Sequence, residues 1–187
     1  YFLYSPVFTV LFAPFAYLPA WLGPFAWNLF NYSLFFMAIF TLPQQFTQQQ
    51  KCRMFLFLLL ILGQSLLSFQ YNITVAYLFL FAYTLLEKDR GFLAVLLIMI
   101  SGCTKVYGIF ELALLLCYPH VWRNFGYAVT MGIVLLALPL IKIAPADLLP
   151  YYEEWCHSLA VHQSAGAYDS FFYARPIAAW TLPHFRA

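Results

Sequence analysis

Lys105 stands in "ISGCTKVYG", at the centre of the largely apolar stretch "FLAVLLIMISGCTKVYGIFELALLLC" from Phe92 to Cys117. An unpaired ammonium in such surroundings costs at least about 2.5–3.5 kcal/mol at mid-bilayer depth, so it must snorkel, pair or face a polar cavity. Two readings of Lys105 stand side by side. In one it anchors a hairpin tip near an interface or pairs with Glu111, although a spacing of six puts those side chains on different faces of a single helix. In the other it faces a wet site and holds an anion such as a phosphate. A compact point charge suits that task, and Ser101-Gly102 lets the backbone bend or approach closely.

Gln70 and Asn72 in "FQYN" form a second constellation. Their amides carry donors and acceptors that suit sugar hydroxyls or a polar lipid head, and equally a solvated turn. Tyr4 and Ser5, before Pro6, mark a helix start that either lines a site or serves as an interfacial aromatic with its cap. Asp147, Glu153, Glu154, Asp169, His157, His162 and His184 have no metal-ligand spacing, so no metal is expected. The cysteines Cys52, Cys103, Cys117 and Cys156 are too scattered for a disulfide framework.

The elements that must position these groups follow from composition. The chain has 187 residues, 64 % of them hydrophobic and only 9 % charged, with a mean hydropathy of +0.79. A soluble domain covers its surface with about a quarter charged residues. The expectation is therefore an all-α, polytopic transmembrane protein with short helical hairpins and half-length helices. A net charge of +2, with no basic block, leaves no expectation of a nucleic-acid partner.

Ser5 to Pro43 is too long for one span and is broken at Pro19, Gly23 and Pro24. It predicts a short helix over about Pro6 to Leu18 and a full span over about Pro24 to Leu42. "QQFTQQQKCR", Gln44 to Arg53, reads as a solvent-side loop. Met54 to Leu86 reads as two short spans folded at "QYN", and "EKDR", Glu87 to Arg90, as a charged turn. Tyr127 to about Ala144 is a further span. From Pro145 no apolar run is long enough to cross a bilayer, and "YYEEW" reads as an interfacial amphipathic segment. Residues 1–144 are thus a transmembrane helical region and 145–187 an extracytoplasmic segment or atypical tail.

Lys51 with Arg53, Lys88 with Arg90, and Arg123 share one side under the positive-inside rule only if Phe92 to Cys117 enters and returns as two half-length helices meeting near "SGCTK". One straight helix through its 26 residues is the competing course. It would extend about 39 Å, past a hydrocarbon core of roughly 30 Å, and is tolerable with tilt.

Three segments carry a resemblance: "YSPVFTVLFAPFAYLPAWLGPFAWNLFN", "FQYNITVAYLFLFAYTLLEKDRGFLAVLLI" and "TKVYGIFELALLLCYPHVWR". The ordered series Tyr4-Ser5-Pro6, Pro14, Pro19, Trp27 with Asn31, Gln70-x-Asn72, and Lys105 before a Tyr and a Gly resembles glycosyltransferase family 87. Those proteins are relatives of polyprenyl-phosphate-mannose-dependent mannosyltransferases with a GT-C type fold.

The resemblance implies transfer of a hexosyl, foremost mannosyl, group from a polyprenyl-phosphate-linked donor to a lipid or glycan acceptor, without a cofactor. It implies a multi-pass protein of the bacterial inner membrane, in contact with the lipid bilayer, whose active side is extracytoplasmic. Lys105, Gln70, Asn72, Tyr4 and Ser5 would meet the donor phosphate or sugar. The general base would be an aspartate upstream of Tyr1, which makes the chain a fragment inactive by itself. Glu111 stands where a small apolar residue is expected. The rival reading is a membrane transporter segment or a non-catalytic membrane scaffold. A transporter would repeat its broken helices, and no second copy of the lysine-bearing hairpin is found.

Overall fold

The computed structural model of the chain describes residues 4–68 and 70–164. Asp169 and His184 lie outside the described residues, as do the side chain of His162 and the tail from residue 165. The described residues form an all-α arrangement. In chain order it comprises α1 (Pro6–Leu11), α2 (Ala13–Ala16), α3 (Leu22–Phe40), α4 (Gln48–Leu67), α5 (Asn72–Leu86), α6 (Gly91–Thr104), a 3₁₀ helix (Val106–Cys117), α7 (Val121–Ala137), a 3₁₀ turn (Leu138–Ile141) and α8 (Pro145–Ser164).

The polytopic expectation is overturned. Among the described residues one helical run, Val121–Ile141, is long and apolar enough to cross a membrane, with 21 residues and a hydropathy of 1.8. The apolar helices α5, α6 and Val106–Cys117 hold 15, 14 and 12 residues, short of the roughly 20 that a span needs. The placement as a multi-pass inner-membrane protein falls with it. Polar and helix-breaking residues cut the apolar runs: Gln70 and Tyr71 before α5, Glu87–Arg90 before α6, Lys105 at the middle, and Tyr118–His120 before α7.

α5 and α6 are the central antiparallel pair. α3 packs on α5, while α7 and the 3₁₀ helix pack on α6. Two apolar cores follow. Ala94, Val95, Ile98 and Met99 of α6 meet Ala82, Leu115, Ala128, Met131 and Leu135, and Phe35, Ala38 and Ile39 of α3 meet Ile73, Tyr77 and Leu78 of α5. A buried polar link crosses the second interface: Thr74 Oγ1 donates to Asn31 Oδ1, and Asn31 Nδ2 donates to the Trp27 carbonyl at 2.8 Å.

Several local expectations change. The helix expected over about Pro6 to Leu18 is interrupted at Phe12 between α1 and α2. The expected loop Gln44 to Arg53 is helical from Gln48. Thr47 and Gln50 cap that start reciprocally: the Thr47 N–H donates to Gln50 Oε1 at 2.8 Å and the Gln50 N–H to Thr47 Oγ1 at 3.3 Å, which satisfies two of the free donors at a helix N-terminus. Lys51, expected at the solvent side, is buried. Its Nζ donates to the Leu42 carbonyl at 2.6 Å and the Phe40 carbonyl at 3.3 Å, neutralising the carbonyl-rich end of α3. "YYEEW" lies within α8, where the Tyr152 hydroxyl donates to the Leu136 carbonyl at 2.9 Å.

Of the two courses open to Phe92 through Cys117, the chain takes the bent one. α6 ends at Thr104, Lys105 is extended with φ −139° and ψ 120°, and the 3₁₀ helix returns along α6. Glycines allow that close return. A Cβ on Gly102 would lie a tight 3.1 Å from the Ile109 backbone nitrogen, and one on Gly108 would lie 2.6 Å from the Ser101 carbonyl carbon, closer than packed atoms tolerate.

Candidate functional site

The bend at Lys105 and the turn at Gln70–Tyr71 come to the same end of the central pair, because α5 begins there and α6 finishes there. Lys105 Nζ donates to Asn72 Oδ1 at 2.6 Å, and the Tyr107 hydroxyl donates to the same oxygen. The amide orientation follows from its partners. An ammonium can only donate, so the carbonyl oxygen faces it. Asn72 Nδ2 is thereby directed to Gln70 Oε1 at 2.8 Å and Ser65 Oγ at 3.3 Å.

Two rings flank the ammonium, with Nζ 5.4 Å from the centroid of Tyr4 and 4.9 Å from that of Tyr107. Each ring face offers an attraction of about 0.5–1 kcal/mol, more where water is excluded. The Tyr4 hydroxyl accepts the Tyr71 N–H at 3.3 Å, and its ring stacks on Phe8 at 4.5 Å. Below lies an aromatic core of Phe8, Trp27 and Tyr71, with Phe12 and Phe15 packed around it. Those rings fix α1, α2 and α3 against the start of α5, so Tyr4 and Asn72 keep their separation.

Five residues singled out in the sequence therefore converge: Tyr4, Ser5, Gln70, Asn72 and Lys105. They do not converge in the same way. Ser5 is fully buried. Its hydroxyl donates to the Cys103 carbonyl and its N–H donates to the Thr104 carbonyl at 3.3 Å, so it ties α1 to the open C-terminal carbonyls of α6. Gln70 is exposed and reaches the cluster through Asn72. Ser65 is a cluster member that sequence reasoning does not single out, and Tyr107 enters it only as the Tyr that follows Lys105 in the resemblance series. "TKVYG" contains Tyr107, but only the extended backbone at Lys105 shows that it turns toward Asn72.

The electrostatics are those of a cation without a counter-charge. Among the described residues the one ion pair joins Arg123 to Asp89 at 3.8 Å, and no carboxylate bonds Lys105. Burial lowers the Lys105 ammonium from the ordinary lysine range to about 8. Glu111 does not pair with it. Instead Ser101 Oγ donates to Glu111 Oε1 at 2.9 Å, and burial raises the carboxyl to about 7 despite that bond. Lys105 and Glu111 both lie outside Val121–Ile141. An anion arriving at Nζ would meet a charge that is already partly dehydrated and held at a fixed height, which strengthens its attraction.

No group of His, Cys, Asp and Glu suited to a metal occurs among the described residues. A concavity of about 310 Å³ opens at the other end of the central pair, lined by Asp89, Arg90, Gly91, Phe92, Leu93, Arg123 and Tyr127, and none of the lysine cluster borders it.

The family model described as Glycosyltransferase family 87 matches residues 2–181. No curated protein and no solved structure matches the chain.

Proposed function

The chain belongs to glycosyltransferase family 87, and on that premise we propose that it serves in moving a hexosyl group, foremost mannosyl, from a polyprenyl-phosphate-linked donor to a lipid or glycan acceptor. One observation carries this reading: the Lys105 ammonium, half-buried and bonded to no carboxylate among the described residues, is held on Asn72 Oδ1 between the rings of Tyr4 and Tyr107.

Sugar transfer from such a donor breaks the bond between the anomeric carbon and a phosphate oxygen, so negative charge grows on the departing polyprenyl phosphate. A preorganised cation aimed at that oxygen stabilises the charge as it develops, without reorganisation at the moment of reaction. Lys105 takes that role. Asn72 sets the position of Nζ, Tyr4 and Tyr107 exclude water around it, and the exposed amide of Gln70 is placed to meet sugar hydroxyls. Proton removal from the acceptor hydroxyl needs a carboxylate, which the lysine cluster lacks. The apolar run Val121–Ile141, only a third buried, offers contact with the lipid phase from which a polyprenyl donor arrives.

The test is a donor comparison with the full-length protein in lipid vesicles. Transfer of hexose from a polyprenyl-phosphate-linked donor, and none from a nucleotide sugar, is the expected outcome. Equal or preferential use of the nucleotide sugar would refute the reading.

A further inference from the structure

Glu111 is a half-buried acid to which the proposed function assigns no role, and its surroundings are specific. In the 3₁₀ helix the side chains repeat every three residues, so Glu111 stands directly above Gly108 on the side facing α6. Tyr107, Phe110 and Leu116 fall on the outer side, where they are 43 %, 78 % and 64 % exposed. Because Gly108 has no side chain, the helix closes onto Ser101, and Glu111 reaches over the glycine to accept the Ser101 hydroxyl at 2.9 Å. Its other oxygen, Oε2, is buried with no hydrogen-bond partner.

Ser101 works on both sides of the bend. Its carbonyl accepts the Lys105 N–H at 3.0 Å and Thr104 Oγ1 at 3.0 Å, while its hydroxyl grips the returning helix through Glu111. We infer that Ser101 and Glu111 are positioning residues whose hydrogen bond clasps the 3₁₀ helix to α6 and thereby sets Lys105 on Asn72. The energetics favour a closed clasp. Opening it would take the one hydrogen bond from a half-buried carboxyl whose other oxygen is already buried without a partner. The same clasp places Tyr107, four residues before Glu111, on Asn72 Oδ1. Glu111 touches neither donor nor acceptor, and its effect on transfer, which rests on the donor-phosphate reading of Lys105, passes through that lysine alone.

Two readouts test this in the full chain. The first is acylation of Lys105 by an amine-reactive reagent, followed by mass spectrometry; the second is steady-state transfer from the polyprenyl-phosphate-linked hexose. Ser101→Ala and Glu111→Leu should each speed Lys105 labelling about tenfold, the scale of a lost buried hydrogen bond to a charged group. They should lower kcat, because the cation that stabilises the departing phosphate is displaced, while leaving the acceptor KM unchanged. Glu111→Gln should label and transfer as the parent does, because its amide oxygen still accepts from Ser101. If Glu111→Leu does not fold, Ser101→Ala decides, since it removes one oxygen atom only.

Labelling equal to the parent in Ser101→Ala would overturn the inference. So would Glu111→Gln behaving like a clasp-breaking variant, since the charge rather than the bond would then matter. If the parent transfers no sugar while the labelling pattern holds, the donor reading fails and the clasp stands.

Discussion

The two ends of the α5–α6 pair carry cations in opposite circumstances. At the Glu87–Gly91 end, Arg123 faces Asp89 at 3.8 Å with both side chains largely in solvent, and the Tyr118 hydroxyl donates to Glu87 Oε1. Gln45 reaches Tyr83 there, so the loop before Lys51 belongs to the same end. At the far end Lys105 is half-buried, bonded to a neutral amide and faced by two rings, and among the described residues no carboxylate bonds it, the nearby Glu111 being held by Ser101 instead. Exposed charges that neutralise one another contribute about 0–1 kcal/mol and are screened by salt. A desolvated charge with neutral partners lies higher in free energy until an anion arrives. The same residue class is thus solvated and paired at one end, and half-buried among neutral partners at the other.

That contrast can be broken at either end. Asn72→Leu removes the oxygen that fixes both Lys105 Nζ and the Tyr107 hydroxyl. It should lower the rate of hexose transfer by about 10- to 100-fold, the range for a bond to a charged group in a binding site, while the thermal midpoint changes little because Asn72 is only partly buried at a helix start. Initial rates and a melting curve on one preparation check both halves. At the other end Arg123→Ala should cost under about 1 kcal/mol of stability, vanishing at high salt, and leave transfer at the parent level. A large loss of transfer in Arg123→Ala would erase the distinction between the ends.

The lysine end was legible because its signals are energetic. An ammonium in an apolar run demands polar company, Ser101-Gly102 marks a place to bend, and Gln70 with Asn72 supplies amides at another break. Those features identify Lys105 and Asn72 as exceptional, though not that they touch; nothing in the sequence fixes the register between α5 and α6.

Tyr107, one of 14 tyrosines, stood in the sequence only as the Tyr that follows Lys105, with no role of its own. The span count failed for a physical reason: hydropathy measures how apolar a run is, whereas crossing depends on uninterrupted helix length. The same punctuation that shapes the site at residues 70–72 and 105 is what shortens α5, α6 and the 3₁₀ helix. The loop expected over Gln44 to Arg53 shows the reverse omission. Its Thr47-x-x-Gln50 pattern is a helix-start signal, and glutamines, lysine and arginine are sound helix formers, but polarity alone suggested a loop.

The central claim, that Lys105 is the cation that meets the donor phosphate, is tested most directly by Lys105→Met in the full chain. Methionine keeps an unbranched apolar stem, one atom shorter, and removes the charge and its bonds. Transfer from the polyprenyl-phosphate-linked hexose should fall by about 100-fold or more, as when one preorganised donor is removed from a charge-stabilising site, while the far-ultraviolet circular dichroism spectrum stays that of the parent. Near-parental turnover with the fold intact would contradict it.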